Sequence, residues 1–115
     1  MAVNIAPNNR IKYVSSTIGA SGDTQLVAAP GSGRQIVISY FSLQNATGVA
    51  TTAILKAGAT AIFTYLGQNQ QNAIWLQQSS EREIEIGDNV ALNLNLSGAN
   101  SNIINVGYYI DNLLP

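Results

Sequence analysis

Glu83-Ile-Glu-Ile-Gly-Asp-Asn-Val-Ala-Leu-Asn-Leu-Asn-Leu96 alternates apolar and polar residues along almost its whole length. Ile84 and Ile86 fall on one side, Glu83 and Glu85 on the other. After Gly87-Asp88-Asn89 the alternation resumes, with Val90, Leu92, Leu94 and Leu96 opposite Ala91, Asn93 and Asn95. Side chains of a strand point to opposite faces in turn, so the pattern predicts strand with one buried face and one wet face. Wound into a helix, the same leucines would scatter around the axis and bury nothing well. Gly, Asp and Asn tolerate turn and left-handed backbone angles. The stretch is therefore expected to be a core strand pair, or one long strand with a kink. The rest of the chain is expected to pack on its leucine face.

Outward from this stretch, further strands are predicted at Ile11–Ile18, Thr24–Ala28, Gln35–Gln44, Thr51–Lys56, Thr60–Leu66, Ala73–Gln77 and Asn102–Ile110. Turns rich in Gly, Pro, Asn and Ser separate them, the sharpest being Pro30-Gly31-Ser32-Gly33. Gly58 reads as the tight turn of a hairpin between Thr51–Lys56 and Thr60–Leu66. Gln35–Gln44 changes phase: Ile36, Ile38 and Tyr40 share one face, but Val37, Phe41 and Leu43 share the other. Either a β-bulge near Ser39–Ser42 flips the register, or both faces are buried, one of them against another subunit. Residues 1–9 read as a flexible arm, Asp111–Pro115 as a tail, and Gly67–Asn72 as a polar loop. Some eight short strands with no helical period indicate an all-β, antiparallel sandwich or barrel in one domain, residues 10–115.

A chain of 115 residues holds one core and not two. Apolar residues make up 46% of it, whereas charged residues make up only 10%, against roughly 25% in an ordinary domain. A surface of Asn, Gln, Ser and Thr does little to repel other copies, which favours an oligomer or a docked subunit. The net charge of −1 and the dispersed basic residues argue against nucleic-acid binding. No apolar run approaches the ~18 residues of a helical membrane span. The first residues lack the pattern of a signal peptide, so a cytoplasmic product is expected.

The chain has no histidine and no cysteine, which removes the commonest base, nucleophile and zinc ligands. No cofactor, no metal and no enzymatic activity are expected. Glu83 and Glu85 stand about 7 Å apart on one strand face, but a solvated face is the preferred reading over a carboxylate pair. Asp88 and Asn89 lack the spacing of a calcium loop. Gly31-Ser32-Gly33-Arg34 lacks the lysine and following helix of a phosphate loop. Asn45-Ala46-Thr47 and Asn95-Leu96-Ser97 match the glycosylation pattern by chance. Trp75 with Tyr65, Tyr108 and Tyr109 could stack a sugar, although core or subunit packing is the better reading.

An N-terminal arm, a Pro-Gly-Ser-Gly turn into Gln35–Leu43, a Thr-rich hairpin, Glu85-Ile-Gly-Asp-Asn-Val-Ala-Leu-Asn-Leu94 and a final Val106-Gly-Tyr-Tyr-Ile110 follow one another in order. Over roughly residues 20–110 this arrangement resembles the small jelly-roll decoration, or cement, proteins of tailed-bacteriophage capsids. It also resembles jelly-roll modules of phage tails and head fibres. Gly-Asp-x-Val-x-Leu occurs as well in trimeric jelly rolls of the tumour-necrosis-factor and complement type. The resemblance implies a jelly-roll β-sandwich of about eight strands, acting as a homotrimer that bridges major capsid protein subunits on the virion surface. A receptor- or glycan-binding fibre module is the alternative. Contact with capsid or sister subunits is expected at Val3, Ile5, Arg10, Val37, Phe41 and Tyr109.

Overall fold

The computed structural model describes residues 11–67, 73–77 and 83–113. The expected arm at 1–9, with Val3 and Ile5, lies outside the described residues, as do Arg10, most of the polar loop at 67–72 and the connection at 78–82. Among the described residues the strands are β1 (Lys12–Ile18), β2 (Gly22–Val27), β3 (Arg34–Asn45), β4 (Thr51–Ala57), β5 (Thr60–Gly67), β6 (Ala73–Gln77), β7 (Ile84–Asp88), β8 (Leu92–Leu96) and β9 (Asn102–Asn112).

They form two antiparallel sheets. One has the order β1-β9-β3-β6, with β7 also paired to β3, and the other has the order β2-β8-β4-β5. β6 pairs with Tyr40–Gln44 and β7 with Gln35–Ile38, so both lie end to end along one edge of β3. Each sheet is thus four strands wide. β1–β2 runs beside β9–β8, which runs beside β3–β4, which runs beside β6/β7–β5. That is the jelly-roll order, a rolled-up antiparallel ribbon.

The layer between the sheets is dry. Ile36, Ile38, Phe41, Leu43, Ile104 and Val106 from one sheet meet Ala53, Leu55, Leu92, Leu94 and Leu96 from the other, all at most 1% exposed. Phe41 meets Phe63 edge-on across the layer, with ring centroids 5.2 Å apart. β8 shows its predicted alternation, with Leu92, Leu94 and Leu96 buried and Asn93 and Asn95 only partly so.

Small register changes keep the apolar residues inward. Ile38 pairs with Tyr108 but Tyr40 pairs with Gly107, leaving Ser39 as the extra residue of a bulge. This bulge is why both Ile38 and Phe41 reach the core, and it is the first of the two causes considered for the phase change. Ser39 Oγ donates to Gly107 O at 3.0 Å. A second shift, between Gln25 and Val27, lets both Leu26 and Val27 pack against the core.

The decisive stretch, Glu83–Leu96, is not a strand pair. β7 belongs to one sheet and β8 to the other, and they share no ladder. The chain crosses the sandwich at Gly87 (φ 106°) and Asn89 (φ 54°). Alternation alone could not distinguish a hairpin from a crossing, because both keep the isoleucines and leucines on the core side. Two boundaries also move: β2 starts at Gly22 inside the expected turn, and Asp111 and Asn112 continue β9 into the expected tail.

This assignment of faces predicts a sharp contrast. Leu94→Ala, at a fully buried position, is expected to lower unfolding free energy by about 2–5 kcal/mol. Leu66→Ala, at a position 62% exposed, should change it by less than about 0.5 kcal/mol. Urea titrations of the two variants measure both values. Equal losses would mean that the leucine face of β8 is not the inner one.

Candidate functional site

The turn at 31–33 and the corner at 87–89 close on each other. Gly31 N–H donates to Asn89 Oδ1 at 2.9 Å and Gly33 N–H to Asp88 Oδ1 at 2.7 Å. Asn89 N–H returns a bond to Arg34 O at 2.8 Å, and Gly87 N–H donates to Gln35 Oε1 at 3.2 Å. The Gly31 and Gly33 amides, and one oxygen each of Asp88 and Asn89, are therefore already used to hold the sheet crossing. Arg34 turns back to Pro30 O at 3.3 Å. This end of the molecule is a structural clasp.

The two glycosylation patterns are also structural. Asn45 is fully buried. Its side chain donates to Val49 O and accepts from the Thr47 N–H and hydroxyl, at 2.7–2.9 Å. Asn95 donates to Asp23 Oδ1 at 2.7 Å, beside the Lys56–Asp23 ion pair at 3.2 Å. The hydrogen bonds of Asn95 and Lys56 hold the Asp23 carboxyl below its ordinary range.

The residues expected to contact another chain separate. Phe41 is 0% exposed and belongs to the core. The bulge at Ser39 turns it inward, so it presents nothing to a partner. Val37 does face outward from the core, but it is 1% exposed, in register with Tyr109 on one side and Glu85 on the other. Its side chain is covered within the single chain. Tyr109 lies beside it, half-buried, and donates its hydroxyl to Glu83 Oε1 at 2.7 Å. The supposed carboxylate pair is thus divided: Glu83 is engaged by Tyr109, while Glu85 is exposed. Tyr65 and Tyr108 point into the sandwich and away from Tyr109, so the sugar-stacking set drawn from the sequence is not assembled. Trp75 pairs in register with Ser42; its side chain lies outside the described residues.

What the fold does assemble is the outer face of β1, β9 and β3. Tyr13 and Tyr40 are both in register with Gly107, one from each side. Their rings lean over it, with centroids 6.2 Å apart and planes at 58°. A Cβ at Gly107 would stand 2.7 Å from Tyr40 Cδ1 and 3.0 Å from Tyr13 Cε1, so only glycine lets both rings lie down on the sheet. Tyr13 remains 68% exposed. One row along, Ser15 Oγ donates to Asn105 Oδ1 at 2.6 Å and Asn105 Nδ2 donates to Ser42 Oγ at 3.2 Å. A continuous aromatic bar therefore borders a continuous amide–hydroxyl bar. Each strand shows half of this in its sequence, but the adjacency of β1, β9 and β3 is what makes it a surface. Among the described residues no group of His, Cys, Asp and Glu could hold a metal.

Tyr109 makes this face sensitive to alkali. Burial, followed by the hydrogen bond and charge of Glu83 and the charges of Asp111 and Glu85, pushes its phenol up from 10.0 to about 12. Between those values the unfolded chain has lost a proton that the folded chain keeps. Stability from this group is intact below pH 10.0 and falls as pH rises towards about 12. Tyr109→Phe is expected to flatten that part of the decline when denaturation midpoints are followed with pH. Parallel curves for the two proteins would exclude the linkage. No known protein-family model matches the sequence, and comparison with curated proteins finds no significant match.

Proposed function

We propose that this chain is a structural, non-enzymatic virion subunit. In this reading it decorates a bacteriophage capsid as a homotrimer and stabilises it by bridging major capsid protein subunits. The observation that carries the proposal is a jelly-roll sandwich with so few charges: six Asp and Glu and five Lys and Arg in 115 residues. Charge-poor, amide- and hydroxyl-rich surface suits a molecule that is covered on more than one side. The side chains of Asp88, Asn89 and Gln35 brace the sheet crossing rather than aim at a ligand, as befits a rigid wedge. The N-terminal segment, with Val3, Ile5 and Arg10, would gain contact area by ordering against the shell.

A tail- or head-fibre module that binds a receptor or glycan is the second reading. The outward tyrosine pair at Tyr13 and Tyr40 favours it, because a purely mechanical subunit has no need to keep an aromatic ring in water.

The capsid reading is tested with particles assembled with and without the chain. Sedimentation equilibrium should give a trimer. Decorated particles should retain DNA to a higher temperature than bare ones, and deleting residues 1–10 should weaken attachment without unfolding the domain. Bare particles that package DNA and survive heating as well as decorated ones would rule out the capsid role.

A further inference from the structure

We infer that the outer face of β1, β9 and β3 is a binding surface for an uncharged saccharide, centred on Tyr13, Tyr40, Gly107 and Asn105. The inference deepens the second of these readings and stands apart from the capsid reading, since it concerns the isolated subunit and requires no shell.

A pyranose offers two kinds of surface, a patch of C–H groups on its ring face and hydroxyls around its rim. A protein surface that recognises it must supply an aromatic plane and, within one ring's reach, groups that both donate and accept hydrogen bonds. The face has both. The tilted rings of Tyr13 and Tyr40 form the apolar bar, and Gly107 beneath them keeps it low and open. The Ser15–Asn105–Ser42 row lies two residues further along each strand, which places it about 7 Å away. A sugar stacked on Tyr13 would bring its rim hydroxyls to that row.

Chemical valence shows what the row has left to give. Asn105 uses one Nδ2 hydrogen on Ser42 and accepts from the Ser15 hydroxyl. Its second Nδ2 hydrogen, the Ser42 hydroxyl proton and the lone pair of Ser15 remain for a ligand. The Ser15 hydroxyl is turned by its bond to Asn105 and the Asn105 amide by its bond to Ser42, so these two groups present fixed directions.

Charge decides the class of sugar. Neither row contains Asp, Glu, Lys or Arg. At the Tyr109 end of the same face Glu83, Glu85 and Asp111 supply negative charge. An acidic saccharide would meet that negative charge with no cation in either row to offset it, whereas a neutral one is indifferent to the charge. The face is shallow, so binding to single chains should be weak and gain strength by repetition in an assembly.

The test is a titration of the isotope-labelled full chain with neutral oligosaccharides: maltotriose, cellotriose and chitotriose, each at millimolar concentrations, with sialyllactose as the charged comparison. At least one neutral sugar is expected to shift the amide signals of 13–17, 40–44 and 103–107, and sialyllactose is expected to leave them in place. Tyr13→Ala, at an exposed position on an edge strand, should keep the fold and weaken binding by about tenfold or more. Asn105→Ala should weaken it while leaving the Tyr13 and Tyr40 ring signals in place. Three results would overturn the proposal: no neutral sugar shifting this face, shifts confined to another surface, or a wild-type dimer through this face that Tyr13→Ala converts to monomer. Failure of the capsid assay would leave these outcomes untouched.

Discussion

A single dry layer of branched and aromatic side chains between two sheets is the constraint that everything else obeys. Ile36, Ile38, Phe41, Leu43, Ile104 and Val106 close on Leu55, Leu92, Leu94 and Leu96 with almost no exposure. Each fully buried side chain of this size is worth about 1.5–3 kcal/mol relative to exposure, so the layer outweighs any local preference of the backbone. Its effect is visible where strands break their own regularity. The bulge at Ser39 gives up a regular ladder position and keeps both Ile38 and Phe41 inside. The shift between Gln25 and Val27 does the same for Leu26 and Val27.

The polar residues follow from the same constraint. A chain that must feed both sheets has to cross between them, and a crossing leaves backbone groups without ladder partners. At 87–89 the Asn89 and Gly87 N–H groups are met by Arg34 O and Gln35 Oε1, and the Asn89 and Asp88 side chains in turn accept from the Gly31 and Gly33 N–H groups. At the opposite end Asn45 does the equivalent for the 46–49 turn. Motifs that resemble ligand sites in one dimension are thus the fasteners of the roll. This explains why so few charges suffice: side-chain amides and hydroxyls supply the hydrogen bonds without the desolvation penalty of ions.

With its corners occupied in this way, the molecule gathers an aromatic and a polar row on a sheet face. The Tyr13–Gly107–Tyr40 bar and the Ser15–Asn105–Ser42 row lie on flat, rigid strands rather than on loops, so their geometry is set by the sheet. A surface of this type suits repeated weak contacts along an assembly better than a single tight one.

Local alternation in the sequence determined the strands, their inner faces and the class of fold. Side-chain period is a property of the backbone itself, and Leu92, Leu94, Leu96, Ile104 and Val106 read true without any partner. The Gly-Asp-Asn break was legible as a bend, and the phase change in β3 as an irregularity. Whether the bend closed a hairpin or crossed the sandwich was decided only by the tertiary structure, because both solutions bury the same residues. The same holds for the exposed face. Tyr13, Tyr40, Ser15, Ser42, Asn105 and Gly107 stand up to 94 residues apart in the chain, and nothing in any one strand names its neighbours. Strand order is chosen by how the whole ribbon rolls to bury its core, and that choice alone brought two tyrosines over one glycine.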